Sequence, residues 1–374
     1  MVQLQAHVAT DERGSLAARG ARGRDARSRA VVTGARDAVA APRRRGSLGQ
    51  RGRVTALRAA SWGASHLPDR IAVALANLGG GVWYRVAPER AAQARRNLAR
   101  VAGELDRRGL GPARARAAAH DTRALERLVR LAFRHDARYY LEVLRVPSLT
   151  PAIFEDRVIN ETPELVDEAF SGGAVIFASA HFGPIELPGL YLANRSGRTF
   201  VAPMEAVGDP PLQAWFERTR GSLGVRIVEL RAARRELQAA LRADGYVGIV
   251  ADRDISGGGI DVPFFGAPAP FPIGPALLAI ETGARVYAVG VRRLPDGRVA
   301  GGLRTVDVAT DGTRRQRIEA TLASLAAAFE AIIADAPEQW SGAFFPIWPD
   351  LADRGGGETP SETERAAADE APVA

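Results

Sequence analysis

The sequence predicts an α/β protein, a mostly parallel central sheet flanked by helices and preceded by an N-terminal helical segment. From Thr162 onward, short apolar runs of strand length alternate with amphipathic stretches of helix length, the pattern of a layered α/β unit. The junctions carry helix start and stop residues. Upstream, Val54 to Arg145 shows helical spacing of its apolar residues.

Taken in order, residues 1–53 are rich in Arg, Ala and Gly and poor in large apolar groups, so they are expected to form a disordered tail that buries too little surface to offset chain entropy. They contain no continuous apolar h-region, and a secretory signal peptide is not expected. Residues 54–352 are expected to form one α/β domain whose first part, 54–150, supplies membrane-associating helices. Within it Ile71 to Tyr84 holds no charge, lies between Arg70 and Arg85 and ends in Trp83-Tyr84. Such a stretch suits a bilayer interface, with the arginines reaching headgroups, and equally a core helix broken by Gly79-Gly80-Gly81. Arg127 to Arg145 then interleaves arginines with Leu, Val, Phe and Tyr, as an amphipathic helix does.

Thr162-Pro163-Glu164 reads as an N-cap, an N1 proline and a first-turn acid, and Gly172-Gly173 ends the helix so begun. Strands are expected at Ala174 to Ala180, Thr199 to Ala202, Val225 to Leu230, Tyr246 to Ala251 and Arg285 to Val291. Helices fill the intervals, so several of these strands should run parallel. A helix from Pro275 to Thr282 is closed by Gly283, and residues 353–374 form a second expected tail.

Composition narrows the chemistry. Among 374 residues there is no cysteine, which excludes disulfides, thiolate nucleophiles and Cys-ligated zinc. No lysine occurs, so all 50 basic residues are arginine against 43 acids, a formal charge of +7 suited to phosphates, anionic lipid or nucleic acid. No run of about 20 apolar residues suggests a spanning helix. Five histidines form no metal-ligand spacing, and neither a G-x-S-x-G elbow nor a phosphate-cradling loop occurs. A metal site is therefore not expected.

The most informative segment is Ser179-Ala180-His181-Phe182-Gly183-Pro184-Ile185-Glu186, where a buried strand delivers a histidine into a turn. If Pro184 opens the next helix, Glu186 falls in its first turn, where it can bond one imidazole nitrogen and free the other to take a proton. Val250-Ala251-Asp252-Arg253-Asp254 follows another buried strand. If the two strands are parallel, His181 and Asp252 emerge at the same sheet edge, giving a base with two candidate orienting acids, Glu186 and Asp252. Downstream, Gly257-Gly258-Gly259 leads as a flexible loop into Val262-Pro263-Phe264-Phe265-Gly266, an apolar patch that could hold an acyl chain or simply pack in the core.

His181-x4-Glu186, Val262 to Gly266 and Ala279-Ile280-Glu281-Thr282-Gly283-Ala284, in this order, resemble the bacterial lipid A acyltransferase superfamily over roughly Val54 to Asp350. Val250-Ala251-Asp252-Arg253-Asp254 is more similar to its actinobacterial phosphatidylinositol mannoside acyltransferase branch. The resemblance implies a direct, metal-free transfer of a fatty acyl group from acyl-CoA or acyl carrier protein to a hydroxyl of a glycolipid or phospholipid. His181 would be the general base, Glu186 the motif acid and Asp252 a member of the proton relay. Glu205 and Arg220 would fall on polar positions of the substrate groove, with Arg253, Phe264, Phe265 and Gly266 also lining it. Asn97-Leu98 and Pro337-Glu338-Gln339-Trp340 match family landmarks. Two departures are Ser341-Gly342-Ala343-Phe344-Phe345, where a tryptophan-rich continuation is usual, and Pro184-Ile185 inside the motif turn. The implied setting is the cytoplasmic face of the plasma membrane, peripherally bound, with no cofactor beyond the thioester co-substrate and no specific nucleic-acid partner. A lipid or thioester hydrolase and a non-catalytic lipid-binding relative are the alternative readings.

Overall fold

The computed structural model describes residues 48–204, 209–255 and 257–352. The expected tail over residues 1–47, the one over 353–374, and Glu205 lie outside the described residues. Helix α1 (Leu48–His66) already includes residues 48–53, so the helical segment starts earlier than the expected boundary.

Four more helices complete the N-terminal segment: α2 (Asp69–Val86), α3 (Pro88–Arg108), α4 (Ala113–Ala117) and α5 (Thr122–Arg145). α2 runs unbroken through its three glycines. At Gly80 a Cβ atom would lie 2.6 Å from the Phe133 carbonyl oxygen, so the glycine lets α2 pack backbone to backbone on α5. The inward face of α2 carries Trp83, which packs on Phe133 and stacks on Phe344, and Tyr84, which bonds Glu126. Trp83 and Tyr84 are therefore packing residues, not the exposed interface anchors their position in the sequence suggested. The outward face carries Ile71, Leu75, Leu78, Val82 and Val86, each at least half exposed, in one stripe at three- and four-residue spacing. No helix among the described residues is long and apolar enough to cross a membrane.

After α6 (Pro151–Arg157) the chain enters the sheet through β1 (Val158–Asn160), α7 (Pro163–Ala169), β2 (Val175–Ser179), α8 (Glu186–Ser196), β3 (Phe200–Met204), α9 (Pro210–Gly221), β4 (Val225–Glu229), α10 (Leu230–Arg242) and β5 (Tyr246–Val250). A hairpin of β6 (Ile260–Phe264) and β7 (Ala267–Phe271) follows, then α11 (Gly274–Thr282), β8 (Arg285–Arg293), β9 (Val299–Val306) and α12 (Arg314–Asp335). Strand order is β1-β9-β8-β2-β5-β3-β4, and every pairing is parallel except β8 with β9.

Alternation along β2 shows the layering. Ile176 and Ala178 face the core shared with α3, α5, α11 and α12, whereas Val175 and Phe177 face a second core with α7, α8 and the rings of Phe200, Tyr246 and Tyr287. Thr162 stands at the N-cap of α7, but its hydroxyl oxygen accepts the Leu303 N–H of β9 at 2.8 Å and so ties the helix start to the sheet. The loop expected at Gly257-Gly258-Gly259 leads into the β6–β7 hairpin, where the apolar patch falls, and Pro268 and Pro270 lie in β7. This two-stranded unit keeps its prolines at low ladder cost.

Candidate active site

β2 and β5 pair in parallel with Ser179 opposite Val250, and the Ala251 N–H continues the ladder to the Ser179 carbonyl at 2.9 Å. Their apolar runs therefore release His181 and Asp252 side by side at the carboxyl edge of the sheet. The Asp252 carboxylate, 1% exposed, accepts three donors: the His181 backbone N–H at 3.0 Å, His181 Nδ1 at 2.6 Å and Trp340 Nε1 at 2.8 Å. Burial opposes the charged carboxylate, but the adjacent imidazole and these hydrogen bonds hold Asp252 below the usual carboxylate range. An ionised acceptor on Nδ1 assigns the proton to that nitrogen and leaves Nε2 with its lone pair. The His181 side chain is 26% exposed, and Nε2 has no hydrogen bond among the described residues.

A strap after α12 fixes the turn. Gly183 N–H donates to the Gln339 carbonyl at 2.9 Å, Ser341 N–H donates to the His181 carbonyl at 2.7 Å, and Phe182 bridges to Trp340. Gly183 has φ +60°, and a Cβ there would lie 1.9 Å from the Val291 carbonyl oxygen, so no other residue fits. The Gln339 amide exchanges two bonds with the Arg293 backbone, at 2.8 and 3.0 Å. The landmark segment Pro337 to Trp340 thus acquires a function that its sequence alone did not disclose: Gln339 clamps the turn, and Trp340 donates to the buried acid.

Glu186 begins α8, as the motif predicted, but it does not meet His181. Arg220 of α9 engages both its oxygens, with Nε at 2.7 Å from Oε2. Burial disfavours the Arg220 charge, and Glu186 more than restores it, leaving the guanidinium already neutralised rather than open to a phosphate. Of the two candidate orienting acids, the geometry selects Asp252. Arg253 lies over the Phe345 ring, 3.4 Å from its centroid.

Phe264 and Phe265 are 0% and 1% exposed and pack against Trp340 and each other, with Trp348 stacked on Phe264. They back the acid instead of lining a substrate slot, because the hairpin lies beneath α12, where Glu330 accepts the Phe265 N–H. Gly266, at φ +76°, turns the hairpin over Glu104 and is not part of the groove.

The apolar groove lies elsewhere. A solvent-open space of about 1210 Å³ runs between Val73 of α2, Leu141 of α5, Ile153 of α6 and Leu187 of α8, and reaches the His181 turn at Pro184 and Glu186. Beside it α5 contributes groups that sequence reasoning passed over. Asp136 is buried, and its pKa is pushed up to about 6 by burial, against the opposing pull of a Ser341 hydrogen bond and of Arg293, Arg90 and His181. His135 is pushed down to about 3 by burial and by Arg293, Arg138 and Arg114, so its imidazole is neutral. Burial also raises the Tyr139 phenol. The signal for Asp136 was an acid on the apolar side of a basic helix. Among the described residues, no group of three or more His, Asp or Glu side chains is placed to hold a metal ion.

Asp136 yields a test of stability against pH. Its folded pKa lies above the ordinary 3.8, so its contribution to stability is complete below that value and is lost as pH rises through about 6. Asp136→Asn cannot ionise. Its unfolding free energy relative to the parent should therefore rise between pH 4 and pH 7.5 by up to ~3 kcal/mol, read from urea melts. A difference that stays flat or falls over that interval contradicts the assignment.

The phosphatidylinositol mannoside acyltransferase of Mycobacterium tuberculosis is 34% identical over 154 residues, 39% of this chain and 48% of that protein. The matched stretch thus spans about half the length of that relative. The phosphatidylinositol mannoside acyltransferase of Mycolicibacterium smegmatis is 29% identical over 288 residues, covering 75% of this chain and 88% of that protein. Residues 54–342, which hold the helical segment, the sheet and the His181–Asp252 pair, match the family described as bacterial lipid A biosynthesis acyltransferase, and the chain belongs to that family.

Proposed function

We propose that the protein transfers a fatty acyl group from an acyl thioester, acyl-CoA or acyl carrier protein, to a hydroxyl of a glycolipid or phospholipid such as a phosphatidylinositol mannoside. The observation that carries the reading is an imidazole oriented by a sealed carboxylate, with its second nitrogen open, on a turn that an apolar groove reaches at Pro184 and Glu186, in a chain of this family. The names of the two mycobacterial relatives support the acceptor class.

The acceptor oxygen attacks the thioester carbonyl carbon while His181 Nε2 takes its proton. The resulting imidazolium is stabilised by Asp252. The tetrahedral intermediate collapses, the C–S bond breaks, and the departing thiolate takes the proton back from Nε2. The products are an ester and a free thiol, and no acyl-enzyme is needed. His181→Ala should lower palmitate transfer from palmitoyl-CoA to a phosphatidylinositol mannoside by about 10²- to 10⁴-fold. A folded variant that works at the parental rate would end the proposal.

The same reading sets the protein on the cytoplasmic face of the plasma membrane, with the outer face of α2 against lipid. Four large apolar side chains of one stripe, Ile71, Leu75, Leu78 and Val82, lie between the exposed Arg70 and Arg85 and suit an interfacial helix. Replacing both Leu75 and Leu78 with Asp removes apolar contact worth about 1.5–3 kcal/mol per fully buried side chain. Co-sedimentation with vesicles of phosphatidylcholine and phosphatidylglycerol should fall by about tenfold or more, with the melting temperature retained. Undiminished binding would show that α2 is not the docking face.

A further inference from the structure

The groove beside the His181 turn is lined by four arginines, Arg138, Arg145, Arg157 and Arg293, and three of them are already paired. Arg145 and Arg157 each hold one oxygen of Asp69, both at 2.7 Å. Arg293 takes both oxygens of Glu142 at 2.6 Å. The third acid in the lining, Glu186, is held by Arg220. Arg138 has no carboxylate partner among the described residues. Its Nε donates to Asn77 Oδ1 at 2.8 Å, which anchors the guanidinium to α2, and its Nη nitrogens carry no hydrogen bond there. Partial burial and the neighbouring Arg293 and Arg134 weigh against this charge, and Glu142 only partly compensates. A half-buried cation that is only partly compensated, in a mostly apolar groove, is costly unless an anion arrives to meet it.

We propose that Arg138 binds the phosphodiester of the acceptor lipid, with the lipid's chains lying along the apolar walls toward α2. This rests on the acyltransferase reading and adds to it the place where the acceptor headgroup is held. Charge selects the occupant. A phosphodiester carries one negative charge and matches one unpaired guanidinium, whereas coenzyme A carries several phosphate charges that this groove does not balance. The walls complete the match, since Val73, Leu141, Val146, Leu149 and Ile153 present hydrocarbon to hydrocarbon.

The test measures binding without turnover, by calorimetry on the full chain, using monomeric dihexanoyl-phosphatidylinositol, uncharged dihexanoylglycerol and coenzyme A as probes. Arg138→Gln should weaken phosphatidylinositol binding by about tenfold or more, the loss of one charge-assisted contact, and leave the other two within about twofold. Arg138→Lys should recover part of the loss, since it keeps the charge without the fork. Equal phosphatidylinositol affinity in a folded Gln variant overturns the assignment, as does an equal loss for dihexanoylglycerol or a loss confined to coenzyme A. Palmitate transfer by the parent, run alongside, separates the two readings. Transfer with Arg138-independent binding sinks only the phosphate site, whereas Arg138-dependent binding without transfer sinks only the reaction.

Discussion

A carboxylate sealed from water is costly to keep ionised, and the region around the sheet edge is organised to keep Asp252 in that state. Three donors converge on it, two from His181 and one from Trp340. Removing one of them would leave a buried charge short of a partner, a loss of several kcal/mol. The arrangement needs β2 and β5 adjacent, parallel and in the observed register, because a one-residue slip would turn the acid to the other face. It also needs Trp340 immobile. Phe264, Phe265 and Trp348 pack around that indole, which explains why an apolar hairpin sits behind the site and not in the substrate path.

Much of this was readable from residues. The strands that release His181 and Asp252 start buried, β2 nearly throughout and β5 at Tyr246 and Val247, so they appear in the sequence as uninterrupted apolar runs, and the helices between the strands favour parallel pairing. That was enough to bring the two side chains to one edge. The choice between Glu186 and Asp252 was not readable, because it depends on Arg220, 34 residues further along, reaching Glu186 first. Phe264 and Phe265 were ambiguous for a related reason: apolar residues look the same in a core and in an acyl slot until α12 is laid over them. β9 carries Gly301-Gly302 at its middle, which hides a strand from any propensity argument.

The N-terminal helices show the same division. Spacing on α2 gave an uncharged stretch but not its facing, and the packing of Trp83 and Tyr84 on α5 reverses the orientation those aromatics suggested. With that face turned inward, the exposed stripe points away from the groove, which takes Asp69 and Val73 from the other side of α2 and reaches the turn after β2 at Pro184 and Glu186. The buried Asp136 lies within electrostatic reach of His181, so a net charge there would perturb the imidazole.

The central claim is that Asp252 keeps the His181 proton on Nδ1 and leaves Nε2 as the base. Nitrogen-15 NMR of histidine-labelled protein at neutral pH reads this directly, with His181→Gln assigning the resonance. The account predicts a protonated Nδ1 and a bare Nε2 for His181 in the parent, with the tautomers mixing in Asp252→Asn. A parent His181 protonated on Nε2, or a spectrum indifferent to the Asp252 substitution, would contradict it.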